Sequence, residues 1–249
     1  MNNRALGKTA TKIICESSFV KNDIVEFTGV DKSKVSIIQS PPPKSFQNYQ
    51  FDEKQFEKVK SKYDLPSDYI FYPAQCWLHK NHIKLVEAFN EIANKFNNIY
   101  LVFTGSQKNN FINLVNKINE LGLGERVKHL GYVDYEDLPY LYKMSKVLVM
   151  PSLFESVSIP IYEAFSLEVP VCSSNVVGLS EQVKDSGLLF DPNDESDIVR
   201  KLSMYLSSEE LRHEKGKVGF KSVTSFNHVN YQKDLLKVLE DFNLNNEDG

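Results

Sequence analysis

Glu155 and Glu163 stand seven residues apart in the segment Pro151-Ser152-Leu153-Phe154-Glu155-Ser156-Val157-Ser158-Ile159-Pro160-Ile161-Tyr162-Glu163-Ala164-Phe165. A carboxylate accepts hydrogen bonds through two oxygens, so two of them in one cleft suit the vicinal diols of a sugar and of a ribose. The apolar run 147–150 ahead of the segment reads as a buried strand, and Pro160 suits the first turn of a helix. The loop between them is therefore expected at the carboxyl end of a parallel strand, with Glu163 in the first helical turn. Open α/β sheets bind ligands at that end, and amides at a helix start face anions. The same two residues also fit a structural reading, in which Glu163 complements the helix dipole and Glu155 is a solvated loop residue.

A second constellation, Tyr72-Pro73-Ala74-Gln75-Cys76-Trp77-Leu78-His79-Lys80-Asn81-His82, follows another expected strand and precedes a helix. A lysine in that place can neutralise a diphosphate leaving group, and a charged hydrogen bond of this type contributes about 1.5 to 3 kcal/mol. The spacing of His79 and His82 does not by itself make a zinc site, and no catalytic metal is expected. Trp77, the single tryptophan, either walls the cleft or packs in the core or at an interface.

These loops need a scaffold, and the rest of the chain has the pattern of one. Short apolar runs at 12–15, 35–38, 69–72, 100–104, 127–130, 147–150, 171–173 and 188–190 alternate with longer amphipathic stretches. That alternation predicts an α/β fold, a doubly wound, mostly parallel sheet with helices on both faces. Leu85, Val86, Phe89, Ile92, Ala93 and Phe96 recur at helical spacing, as do Leu114, Val115, Ile118 and Leu121 before Gly122-Leu123-Gly124. A helix is expected over 19–27, Asp194 is placed to cap another running to about 206, and a last one covers 228–242. Three consecutive prolines, Pro41 to Pro43, exclude helix and central strand and mark a linker.

Composition sets the function classes. With 29 Lys and Arg against 33 Asp and Glu, the net charge is -4, so no global positive field favours nucleic acid and any phosphate site must be local. No G-x-G-x-x-G or G-x-x-x-x-G-K-[ST] loop follows a strand, which argues against dinucleotide oxidoreductases and P-loop enzymes. Asp134-Tyr135-Glu136-Asp137 and Asp191-Pro192-Asn193-Asp194 read as helix-start and turn chemistry. Cys15, Cys76 and Cys172 are far apart with no C-x-x-C pair, as expected of reduced thiols, and no run is long and apolar enough to span a bilayer. A cytoplasmic location is expected, with peripheral contact at the inner face of the membrane left open.

The segment 151–165 resembles the E-x7-E signature of retaining glycosyltransferases of the GT-B fold. The resemblance extends along the chain: Ser17 to Ile38 is similar to the stretch where such enzymes leave their first domain. Gly131-Tyr132-Val133 with Asp137 to Tyr142 is similar to the family's G-x-V loop and following helix. Val169-Pro170-Val171 to Glu181, and Gly187 to Pro192, resemble its closing elements. The Tyr-Pro-Ala-Gln start and the His-Lys-Asn-His run resemble a branch associated with mannosyl transfer; that branch tolerates Ala74-Gln75 where the family commonly has Gly-Arg. Ser156 and Ser158 replace glycines common in the family's loop, and their hydroxyls can donate to phosphate or sugar oxygens.

The resemblance implies a GT-B C-terminal half: 1–43 as remnant of an N-terminal acceptor domain and linker, 44–226 as a Rossmann-like nucleotide-sugar domain, and 227–249 as a closing helix and tail. It implies Lys80 and Glu155 in the catalytic role. It also implies a nucleotide-sugar site built from Gln75, Lys80, Gly131, Tyr132, Val133, Phe154, Glu155, Ser156, Val157, Ser158, Ile159 and Glu163. Glu155 would hold donor-sugar hydroxyls and Glu163 the ribose. The donor implied is GDP-mannose, with a UDP-sugar as second choice, and the acceptor a glycan or lipid-linked intermediate. Efficient transfer would then require an acceptor domain from a longer chain, a separate partner or another copy. The alternative is a non-catalytic nucleotide-sugar-binding or scaffold subunit.

Overall fold

The computed structural model describes residues 9–247, which divide into two compact units, 9–42 with 224–247, and 43–223. In the smaller unit β1 (Ile13–Cys15) and β2 (Val35–Ile37) pair in parallel, Ile13 opposite Val35. Helix α1 (Ser18–Thr28) joins them. The Ser17 hydroxyl caps its start by accepting from the Val20 amide, and Gly29, at φ 71°, ends it by donating to the Val25 carbonyl. Val20, Ile24 and Val25 pack on a small core of Cys15, Val30 and Val35.

The larger unit runs α2 (Lys44–Gln47), α3 (Glu53–Lys62), β3 (Tyr69–Pro73), α4 (His82–Lys95), β4 (Tyr100–Thr104), α5 (Phe111–Glu120) and β5 (Val127–His129). It continues with α6 (Leu138–Met144), β6 (Val147–Met150), α7 (Ile159–Ser166), β7 (Val171–Ser174), α8 (Val177–Val183), β8 (Leu188–Phe190), α9 (Glu195–Ser207) and α10 (Glu209–Val223). The chain closes with α11 (His228–Glu247) in the smaller unit.

Six parallel strands form one sheet in the order β5-β4-β3-β6-β7-β8. Ile70, Phe71 and Tyr72 of β3, Leu101, Val102 and Phe103 of β4, and all of β6 are buried. Helices cover both faces of such a sheet, so its central strands are apolar throughout instead of alternating. The stripe expected on α4 is its buried face, with Leu85, Val86, Phe89, Ile92 and Ala93 all inside. On α5 only Leu114 of the expected stripe is buried; Val115 stands exposed, so this helix lies at the sheet's margin with less to cover. The Asp194 carboxylate caps α9, accepting from the Asp197 amide at 3.3 Å.

From β3 the chain moves outward through β4 and β5, then returns to β6 and moves outward the other way. The strand order therefore reverses between β3 and β6. At such a point the two following loops turn to opposite faces of the sheet and leave a crevice at the carboxyl ends. Among the described residues, no helix is long and apolar enough to cross a membrane, and all three cysteines are buried and none is in a disulfide.

Candidate functional site

The loops leaving β3 and β6 are fixed to each other by their backbones. The Leu153 amide donates to the His79 carbonyl at 2.8 Å. Asn81, in the left-handed region at φ 59°, donates its side-chain amide to the carbonyls of Pro151 (3.1 Å) and Pro192 (3.0 Å). Asparagine tolerates that conformation better than most residues, which suits it to this junction. The Tyr72 hydroxyl donates to the Lys80 carbonyl at 2.8 Å, anchoring the first loop to its own strand.

Two glycines permit close approach. Gly105, at φ 115°, donates to the Gly131 carbonyl at 2.7 Å, and a Cβ there would lie 2.7 Å from the Ala74 carbonyl oxygen. A Cβ on Gly178 would lie 2.2 Å from the Glu155 carbonyl oxygen and 2.4 Å from that of Ser156, so α8 starts directly against the glutamate loop. Gln182, on the next turn of α8, clamps Ser158: its Oε1 accepts from the Ser158 amide at 2.9 Å and its Nε2 donates to the Ser158 carbonyl at 2.7 Å. One amide at the start of α7 is thus already satisfied within the protein.

Within this frame the Lys80 ammonium pairs with Glu155 Oε1, and the Ser152 hydroxyl donates to the same oxygen at 3.1 Å. Both charged side chains are largely shielded, at 20% and 14% exposure. The reading of Glu155 as a solvated loop residue is thereby corrected; it is a partly buried, paired carboxylate.

A cavity of about 320 Å³ opens beside the loops, lined by Pro73, Ala74, Gln75, Thr104, Gly105, Tyr132, Val133, Tyr135, Leu138, Ile159, Pro160 and Glu163. Glu163 is the fifth residue of α7, not part of its first turn, so both the first-turn expectation and the dipole reading are corrected. Its side chain is buried, and the Tyr142 hydroxyl donates to Oε2 at 2.6 Å. Burial raises the Glu163 pKa to about 7, the Tyr142 hydrogen bond acting in the opposite direction.

Of the residues expected at the site, Gln75, Tyr132, Val133, Ile159 and Glu163 line the cavity, whereas Lys80, Glu155, Gly131, Phe154, Ser156, Val157 and Ser158 do not. Lys80 and Glu155 form their own cluster on the two loops that wall it. Tyr132 projects outward at 85% exposure from the turn made by Gly131 at φ 70°, and Phe154 is exposed. Ser158 is buried, and the exposed indole of Trp77 donates to Gln75 Oε1 at 3.0 Å with the Lys108 ammonium 5.3 Å over its ring. The core-packing reading of Trp77 is thus corrected. His79 is exposed while His82 is fully buried between Tyr72 and Phe103, so the two do not face a common ion. Burial lowers the His82 pKa to about 4.

Sequence reasoning missed Tyr142, Ser152, Gly178 and Gln182. Tyr142 sits in an apolar helix run, where a tyrosine reads as core, and nothing local pairs it with residue 163.

The chain is similar to O-antigen chain mannosyltransferase B of Escherichia coli, 45% identical over 86 residues, covering 34% of this chain and 23% of that protein. It is 25% identical over 217 residues to the serotype-specific mannosyltransferase WbdA of Escherichia coli, covering 86% of this chain and 27% of that one. It therefore spans about a quarter of the length of these relatives. The crystal structure of Anabaena Alr3699/HepE in complex with UDP and glucose superposes with a TM-score of 0.86 at 17% identity, covering 96% of this chain and 67% of that one, a likeness of fold. Residues 53–222 match the glycosyl transferases group 1 family. That match takes in the whole six-stranded sheet and both loops that carry Lys80, Glu155 and Glu163, and the chain belongs to this family.

Proposed function

We propose that this chain is the donor-binding half of a retaining glycosyltransferase that moves mannose from GDP-mannose to a glycan or lipid-linked acceptor. A UDP-sugar is the second choice of donor. The observation that carries this reading is the Lys80–Glu155 pair held on the two loops of the switch point, beside a cavity whose charged wall is Glu163. The relatives named as O-antigen and serotype-specific mannosyltransferases support the choice of sugar.

In this reading the nucleoside occupies the cavity, its ribose diol donating to Glu163, while the diphosphate lies at Lys80. Glu155 then exchanges its ion pair for the hydroxyls of the donor sugar. The bond between the anomeric carbon and the phosphate oxygen breaks, its electron pair leaving with the diphosphate, whose charge Lys80 stabilises. The acceptor hydroxyl adds on the same face and gives its proton to the departing phosphate oxygen. Lys80 supplies the cation, so no metal is required. The acceptor must be held near the anomeric carbon, and that positioning is worth about 7 to 11 kcal/mol. An acceptor domain in a longer chain or a partner would provide it.

Calorimetric titration with GDP, UDP and ADP tests the donor site. Binding of GDP or UDP, weakened strongly by Lys80→Ala and unaffected by chelator, is the expected result. Binding of none of the three removes the reading.

A further inference from the structure

Glu163 is the single charged residue lining its cavity, and among the described ion pairs none includes it. It accepts from a neutral phenol, that of Tyr142, itself fully buried edge-on against Phe46 (5.4 Å) and Phe71 (5.0 Å). Among the described residues the elements around α7 pair no cation with Glu163, and Lys143 on α6 donates to the Leu167 carbonyl at 3.0 Å instead. The cavity's far wall presents Tyr132 and Tyr135. Helix α2 carries one charged residue, Lys44, in no described ion pair with Glu163. β6 has no titratable group, and β7 contributes Cys172, a thiol kept neutral by burial. On α10 the two partly buried cations are committed elsewhere, Arg212 to the Tyr205 carbonyl and Lys215 to the Asp185 carbonyl, and its remaining charged residues are exposed.

A carboxyl group shielded from water, with one neutral donor and no counter-charge, favours its protonated form. A ribose diol entering the cavity would supply hydroxyl donors, which favour the carboxylate instead. We infer that nucleotide binding is proton-linked at Glu163: a buried carboxyl with no counter-charge holds its proton in the free protein and gives it up to solvent when the ribose diol binds, and Tyr142 is the positioning residue whose hydrogen bond steadies the carboxylate. The inference rests on the donor-site reading above and adds a pH dependence to it. The midpoint of about 7 set by burial places the change across the neutral range. Only the ionised fraction binds productively, and with that midpoint it rises about tenfold between pH 6 and pH 8.

The test uses the full chain with GDP and, separately, UDP. Titration in two buffers of different ionisation enthalpy counts protons released, and Glu163→Gln is measured alongside to subtract the ligand's own phosphate ionisation. Carbon NMR of carboxyl-labelled glutamate follows Glu163 directly in the free protein, its signal assigned by loss in Glu163→Gln. The expected result is a carboxyl titrating near neutrality, proton release absent from Glu163→Gln, and an affinity ratio to that variant about tenfold higher at pH 8 than at pH 6. Tyr142→Phe should move the carboxyl midpoint upward, because it removes the hydrogen bond that favours ionisation. A Glu163 carboxyl titrating in the ordinary range, or equal proton release in parent and Glu163→Gln, overturns the inference while leaving nucleotide binding intact. Failure of the parent to bind either nucleotide at any pH removes the donor reading and the linkage together.

Discussion

Lys80 and Glu155 should respond to substitution with opposite signs, because in the free protein each occupies the other. Lys80→Ala removes a charged hydrogen bond to the diphosphate worth about 1.5 to 3 kcal/mol, so GDP or UDP should bind about 10- to 150-fold more weakly. Glu155→Gln keeps the side chain's shape but frees the ammonium and removes a negative charge beside an anionic ligand. For a few ångströms of separation in a partly shielded site, that repulsion is on the order of 1 kcal/mol after screening. The bare nucleoside diphosphate should therefore bind roughly fivefold tighter. The nucleotide sugar should not gain in the same way, since the variant also loses one carboxylate acceptor for the sugar hydroxyls. In the double variant the gain should persist relative to Lys80→Ala, because the repulsion it removes acts directly on the ligand. Calorimetry with bare and sugar-bearing nucleotide on all four proteins, with melting temperatures as a control for folding, decides the matter. Weaker binding of the bare diphosphate by Glu155→Gln, or unchanged binding by Lys80→Ala, would refute the proposed division of labour.

Gly178→Ala should push α8 from the Glu155 loop, lowering stability by about 1 to 3 kcal/mol and weakening nucleotide-sugar binding; unchanged melting and affinity would show that the contact relaxes freely. His82 has its folded pKa lowered toward about 4 from the ordinary 6.5, so the stability it contributes is complete above pH 6.5 and declines as pH falls toward 4. Urea unfolding at pH 7 and pH 4 should show this acid sensitivity reduced in His82→Phe, by up to about 3 kcal/mol, and an equal decline in both proteins would contradict it. Magnesium or chelator should leave nucleotide affinity nearly unchanged, measured by the same calorimetry; a large chelator effect would mean that an ion shares the work assigned to Lys80.

The strands were legible because buried parallel strands are continuous apolar runs: 100–104, 147–150 and 188–190 fall where expected, and the others differ by a residue at an end. Helices that bury little were not. In α3 only Val59 is buried, and α10 meets α7 by bringing Gly219 against the Phe165 ring, a contact that leaves no apolar stripe to read. Glu155, Glu163 and Lys80 drew attention as carboxylates and a lysine at the ends of apolar runs, and the resemblance of segments along the chain to the family gave them their expected roles.

What each of those residues touches was decided by the tertiary structure. The reversal of strand order between β3 and β6 depends on which strands pair, and that brings Lys80 to Glu155 across 75 residues of sequence. Tyr142 meets Glu163 through the packing of α6 and α7, 21 residues apart, and burial then shifts the carboxyl's ionisation. The sequence by itself determined the elements and the chemical types at their ends, because backbone periodicity and turn preference act over a few residues. Partners, burial and ionisation were left to the fold, because hydrogen bonds and desolvation depend on distances through space that a single sequence does not encode locally.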